Sequence, residues 1–198
     1  MVKSARCSWC GDDPLYVCYH DREWGVPTRQ RGALFELLIL EGMQAGLSWI
    51  TVLRKRRHLR GALFGFCPET VARLGEADRA RLLADPGVIR HRGKLDAVRR
   101  NAERFLELDR DGGAVEFLWS FVDDRPTVNR WRTREEVPAT TPGAQAMSRA
   151  LRSKGFKFVG PTICYAFMQA SGMVNDHLIT CFRHEQCNEP DTTRCVVA

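Results

Sequence analysis

Three observations predict an all-α fold for this chain of 198 residues. The stretch 33–45, ALFELLILEGMQA, is apolar almost all the way round, as a helix buried on every side must be. Segments 69–84 and 92–108 carry apolar residues at three-to-four spacing. Toward the C-terminus, prolines and glycines stand where helices begin and end, and no neighbouring pair of β-rich runs with a hairpin turn competes with them. With 44% hydrophobic and 27% charged residues, the chain can build one compact core. One helical domain over 1–187 is expected, followed by a frayed, disordered tail over 188–198.

Taken in order, Gly42 weakens the last turn of the 33–45 helix, and Asp85-Pro86-Gly87 breaks the chain between the two periodic segments. Segment 114–122, AVEFLWSFV, fits helix or strand by period, and helix is favoured because no partner strand is near. The Pro-, Thr- and Arg-rich stretch 125–141 reads as an extended loop. Thr141 and Pro142 supply an N-cap and a first-turn proline for a helix that runs to Lys154 and stops at Gly155. A second helix starts at Pro161 and ends at Gly172.

The formal charge of +6 is small, but its distribution is informative. Spans 54–60, 90–100, 125–134 and 149–157 hold 18 of the 30 basic residues and a single acid, Asp96, so a net-acidic body carries basic patches. Arg outnumbers Lys 25 to 5, and its planar fork suits phosphate, which makes nucleic acid the leading partner, although charge alone fits a merely solvated surface equally well. The N-terminus lacks the apolar run of a signal peptide, and 34–40 is too short to cross a bilayer, so a cytoplasmic protein without membrane partners is expected. Eight cysteines in a reducing compartment argue against a disulfide framework and leave some of them available to hold a metal.

Four groups of residues carry chemistry. Between the last two helices, 155–161 (GFKFVGP) places Gly160 just before a helix start, where backbone N–H groups approach a phosphate; Lys154 and Lys157 add charge. The same spacing also describes an ordinary helix–helix turn. Glu41 intrudes into an apolar helix, which means either a buried ion pair or a functional carboxylate; Glu36, in the same surroundings, reads as structural. Trp9, Tyr16, Tyr19, Trp24 and Trp49 offer flat faces suited to a nucleobase, best of all a cationic one, although Trp24 reads as packing. Finally, Cys7 and His20 near one end and His177-x-x-x-Cys181 near the other, the latter as i, i+4 on a helix, can complete a tetrahedral zinc site. Such a clip closes a 157-residue loop, worth roughly 4–5 kcal/mol. Spacing leaves Cys10, His184 and Cys187 as alternative ligands.

The stretches DPLYVCYHDREWGVP (13–27), LLILEGMQAGLSWITVLRKR (37–56), GVIRHRGKLDAVRRNA (87–102) and SKGFKFVGPTICYAFMQASGMVNDH (153–177) resemble the DNA-3-methyladenine glycosylase I family. With the metal pattern, the resemblance spans residues 7 to 181. It implies a helix-hairpin-helix glycosylase fold in which one structural Zn2+, held by Cys7, His20, His177 and Cys181, joins the N- and C-terminal segments; Cys10 becomes a bystander. It places the catalytic pocket glutamate at Glu41, the base-binding aromatics at Trp9, Tyr16, Tyr19 and Trp49, and the phosphate-gripping hairpin at 155–160, with Lys157 and Gly160 on the DNA. Gln44, Gly46 and Leu47, after the Glu41 helix, are wedge candidates for opening the duplex.

The implied activity is hydrolysis of the N-glycosidic bond of 3-methyladenine in alkylated double-stranded DNA by a monomer that flips the base out and leaves an abasic site and free 3-methyladenine. A non-catalytic damaged-DNA binding module of the same fold, and a zinc-stabilised helical domain with another partner, are the rival readings. No lysine nucleophile stands out in the pocket motifs, so lyase activity is not expected. Asp176 lies where other helix-hairpin-helix glycosylases carry a catalytic aspartate, but its neighbour His177 restricts where it can point, and the resembling family works without it.

Overall fold

The computed structural model describes residues 5–187. Ten helices run through them: α1 (Pro14–Arg22), α2 (Arg31–Gln44), α3 (Trp49–Ala62), α4 (Pro68–Val71), α5 (Glu76–Ala84), α6 (Arg92–Arg110), α7 (Ala114–Trp119), α8 (Pro142–Ser153), α9 (Pro161–Ala170) and α10 (Arg183–Gln186). Helix α2 is buried on all sides, as its composition requires, and packs against α3, α6, α7 and α9. Long, amphipathic α6 turns Leu95, Val98, Ala102 and Phe105 inward and its arginines out. Among the described residues, no helix is long and apolar enough to cross a membrane.

Capping chemistry sets several boundaries. Asp13 accepts from the backbone N–H groups of Leu15 and Tyr16 ahead of Pro14, and Thr141 caps α8 through the N–H of Ala144. Gly155 takes a φ of +89°, so the chain leaves α8 in the left-handed region open to glycine. Residues 114–122 form α7 and a 3-10 turn, Ser120–Val122, rather than a strand.

Three expectations need correction. The periodic segment 69–84 is two helices, not one, because the chain turns at 72–75 and Asp78 caps the new start by accepting from the Gly75 N–H. Stretch 125–141 is not wholly loop: β1 (Thr127–Val128) pairs in parallel with β2 (Val174–Asn175), and Arg134–Glu136 makes a 3-10 turn. His177 and Cys181 do not sit on a helix; they flank a turn closed by the Cys181 N–H on the Leu178 carbonyl at 2.8 Å. The expected tail, 188–198, lies outside the described residues. Helices α1 and α3 have no clear apolar stripe, so periodicity passes over both.

Two buried features tie the N-terminal elements to this frame. Arg56 of α3 donates to Glu23 at 2.6 Å and to Glu36 at 2.7 Å, and Arg60 reaches Glu36 as well, which makes Glu36 structural as its sequence setting suggests. Chain 25–28 runs against the end of α9, with the Gly25 N–H on the Gln169 carbonyl and the Thr28 N–H on that of Ser171. Gly172, at φ +70°, lies so close that a Cβ there would fall 2.2 Å from the Pro27 nitrogen. Gly172→Ala should therefore lower unfolding stability by about 2–3 kcal/mol. Urea denaturation measures it, and a loss under about 1 kcal/mol would mean the two backbones can part freely.

Candidate functional site

A cavity of about 320 Å³ opens beside α2. Helix α1 presents Tyr16 and Tyr19 to it, the turn Ser8–Cys10 contributes Trp9, the first residue of α3 is Trp49, and Glu41 comes from the last turn of α2. Trp9 meets Tyr16 and Trp24 edge to face, at 5.0 and 4.8 Å, while Tyr19 lies tilted against Trp49 at 5.4 Å. Such a wall is rigid and leaves π faces available to a flat ring. All five residues expected to form a pocket (Trp9, Tyr16, Tyr19, Glu41 and Trp49) are thus brought together, and Trp24 lines the cavity as well.

The polar atoms on this wall are the telling ones. Glu41 is buried, and its Oε2, the Trp9 Nε1 and the Trp49 Nε1 have no hydrogen-bond partner among the described residues. Buried polar groups are nearly always satisfied, so one acceptor and two donors left open around a single cavity are what a bound ligand would satisfy. Burial, unrelieved by any cation, pushes the Glu41 carboxyl up to about 8. Ionising it in the empty cavity is unfavourable, and a cation entering the cavity would reverse that. The arrangement suits a flat, aromatic, positively charged group carrying hydrogen-bonding edges.

Sequence reasoning missed part of this lining. Thr162, Tyr165 and Gln169 project from α9, and Arg134 with residues 137–139 closes another side. The arginine-rich span 125–134 therefore reaches the site through its last residue, which charge counting could not reveal. Asp176 also borders the cavity, but Tyr165, Gln169, Asn129 and Trp131 all donate to its carboxylate. Those four bonds leave it a fastening point between α9 and the segment that follows β1 rather than a free base.

Behind Trp9, a second cluster gathers Cys7, His20, His177 and Cys181, all buried, with ligand atoms within 4.8 Å of one another. The Sγ of Cys181 stands 3.5 Å from the His20 Nε2 and 3.5 Å from the His177 Nδ1, and the Cys7 Sγ stands 3.6 Å from that same Nδ1. Tetrahedral zinc with ordinary Zn–S and Zn–N lengths puts sulfur and nitrogen about 3.5 Å apart, so the donor set fits such an ion. The remaining ring nitrogens are engaged: His20 Nδ1 meets Asp21 at 2.8 Å and His177 Nε2 meets the Trp24 carbonyl at 3.0 Å, outer contacts that orient metal-binding imidazoles. The rival ligands are elsewhere, with Cys10 directed at backbone carbonyls and His184 at the Asn129 carbonyl. The Trp9 ring lies 5.3 Å from that of His20, so the cluster backs the cavity wall.

Beyond the cavity, Gln44 ends α2 and lines the mouth, Gly46 turns the chain at φ +76°, and Leu47 is 40% exposed. The connection between α8 and α9 is a hairpin in which Lys157 is exposed and Gly160 precedes the first turn of α9. Asn101 of α6 holds this hairpin by accepting from the Lys157 N–H and donating to its carbonyl.

Comparison with known proteins converges on one group. The family model described as methyladenine glycosylase matches residues 9–184. The DNA-3-methyladenine glycosylase 1 of Escherichia coli K12 is 51% identical over 177 residues, covering 89% of this chain and 95% of that protein. A crystal structure of a 3-methyladenine DNA glycosylase I superposes with a TM-score of 0.88 at 49% identity, over 90% of this chain and 98% of the other. A Staphylococcus aureus 3-methyladenine DNA glycosylase I, solved for the structural basis of its 3-methyladenine recognition, gives a TM-score of 0.87 at 36% identity over 89% of this chain and 95% of its own.

Proposed function

The chain belongs to the methyladenine glycosylase family, and from that premise we propose that it removes 3-methyladenine from alkylated double-stranded DNA, hydrolysing the N-glycosidic bond and leaving an abasic site. The observation that carries this reading is the aromatic cavity in which the buried Glu41 Oε2 stands open.

Methylation at N3 gives the adenine ring a positive charge and makes it a good leaving group. The nucleotide is extruded from the duplex, a step that a poorly paired damaged base makes cheaper. Trp9, Tyr16 and Trp49 then stack on the cationic ring, and Glu41 and Tyr19 hydrogen-bond to its edge. When the C1′–N9 bond breaks, its electron pair stays with the base, which leaves as neutral 3-methyladenine. Water adds to C1′ and loses its proton to solvent. Positive charge thereby passes from base to sugar, and an ionised Glu41 in the cavity opposes neither form. With a leaving group of this quality no general acid is required, in keeping with the occupied carboxylate of Asp176.

The remaining assignments follow from position. The α8–hairpin–α9 unit is read as a helix-hairpin-helix grip on the phosphate backbone, with Lys157 and Gly160 at the contact. Gln44, Gly46 and Leu47 are read as the wedge that fills the gap left by the flipped base. Zn2+ is read into Cys7, His20, His177 and Cys181; when bound, it supplies a cross-link between the chain ends and takes no part in the reaction. The continuous buried cluster from Cys7 to Cys181 supports reading the chain as one domain, and a cytoplasmic monomer remains the expectation from the sequence.

Incubation with methylated DNA, followed by identification of the released bases, tests the reading. Free 3-methyladenine above background, with an abasic site left in the strand, is expected. Binding to alkylated DNA without any release would instead identify a non-catalytic damage-binding module.

A further inference from the structure

Lys94, in the first turn of α6, is only 6% exposed and forms no ion pair among the described residues. Its ammonium donates to the Met43 carbonyl at 2.8 Å and the Ala45 carbonyl at 2.6 Å. Those two carbonyls lie at the C-terminal end of α2, where backbone acceptors lose their helical partners and the helix dipole favours a cation. A methionine of similar length would fill the space; the ammonium adds two directed bonds, one to the last turn of α2 and one to the first residue of the loop that carries Gly46 and Leu47. Lysine is costly to bury, and packing alone does not call for it here.

Asn101, seven residues further along α6, lies on the same face about 10 Å away. It grips the opposite structure, the hairpin, through both backbone groups of Lys157 at 2.8 and 2.9 Å. Arg100 adds a bond to the Gly155 carbonyl at 2.8 Å. Helix α2 and the hairpin also touch directly, since a Cβ on Gly42 would meet that of Phe158 at 3.4 Å. One rigid helix therefore holds both segments read above as DNA contacts, each by a polar clip.

We infer that Lys94 is a positioning residue for duplex opening: it fixes the 44–47 loop relative to the hairpin, so that Leu47 enters the base stack at a set distance from the gripped phosphates. The inference rests on the glycosylase reading and on the wedge role of that loop. It does not place Lys94 in contact with the base or with DNA.

The test uses the full chain, with a methylated oligonucleotide annealed either to its complete complement or to a strand that leaves the methylated adenines unpaired. Lys94→Met should slow single-turnover release of 3-methyladenine about tenfold or more on the paired duplex, the scale expected of a modest misplacement, and less than about threefold on the unpaired one. Binding of free 3-methyladenine, followed by tryptophan fluorescence, should stay within about twofold of wild type, because Lys94 does not line the cavity and the aromatic wall and Glu41 are unchanged. Lys94→Arg, which keeps the charge, should recover part of the duplex rate. Equal losses on both substrates would overturn the proposal in favour of a merely structural lysine, as would unchanged rates on both or loss of free-base binding. Leu47→Ala is the control for the wedge and should reproduce the duplex-specific loss. If it does not, the wedge reading falls and the Lys94 proposal with it, whereas a wild-type protein inactive on both substrates would overturn the glycosylase reading itself.

Discussion

Glu41→Gln should lower single-turnover release of 3-methyladenine about a hundredfold, the scale of removing one well-placed electrostatic partner from an enclosed site. It should also flatten the pH dependence of kcat/KM. In the free protein, burial holds the Glu41 carboxyl protonated until about pH 8, and a cationic base calls for the ionised form. Wild-type kcat/KM should therefore rise with pH and level off above about 8, whereas a glutamine has no proton to lose. Stability moves the opposite way. A carboxyl whose folded value lies above its ordinary 4.5 contributes fully below pH 4.5 and is lost as pH rises through about 8. The empty wild-type protein should thus lose a few kcal/mol between about pH 5 and 9 relative to Glu41→Gln, visible as diverging urea midpoints. A variant that keeps the wild-type kcat/KM profile would remove Glu41 from substrate binding.

How legible the site was from sequence depends on what each residue has to do. Glu41 announces itself because a carboxylate inside LLILEGMQ violates the rule that helix otherwise follows, and the structure places it in the cavity with no ion pair among the described residues. Glu36 violates the same rule and turns out to be paired with Arg56 and Arg60, partners about 20 residues away that no local pattern could supply. The helices with a clean apolar period, such as α6 and α8, were readable in advance. Helix α1 was not, because the face a period search expects to be aliphatic carries Tyr16, Tyr19 and His20, committed to the cavity and the cysteine–histidine cluster.

The helical spacing argument for His177 and Cys181 named two residues that the structure does bring together, though not on a helix. A tight turn brings the two side chains together, and nothing in an i, i+4 interval distinguishes a turn from a helix. Tyr165, Gln169 and Arg134 stayed hidden because their place in the cavity depends on tertiary packing: α9 lies against α2 and α8, and the segment after β1 is tied to β2 across about 45 residues by two-residue strands. Lys94 was hidden differently: it read as one more charge in a basic span, and only its burial against the end of α2 sets it apart.

Replacing a member of the cysteine–histidine cluster should do more than release an ion. Cys7→Ser or His177→Ala should abolish the uptake of about one zinc per chain expected of a closed four-ligand site. Either should also destabilise the fold by roughly 4–5 kcal/mol, the closure free energy of so long a loop, a large part of the 5–15 kcal/mol that folded domains have in total. Pocket and clip are physically continuous: Trp9 follows Cys7 by two residues, packs on the His20 ring and forms the cavity wall, while the His177 ring lies 4.6 Å from Trp24. Affinity for free 3-methyladenine should therefore fall together with bound metal, even at temperatures where the helical core of α2, α6 and α9 persists. Cys10→Ser separates the ligand assignment from a general sensitivity of the N-terminal segment, because the Cys10 thiol points to the carbonyls of Cys7 and Gly11 and not into the cluster. That variant should keep its zinc and its base affinity. If it loses the metal while Cys7→Ser retains it, the ligand set is wrong; if metal is lost and base affinity is unchanged, Trp9 is held in place by packing alone.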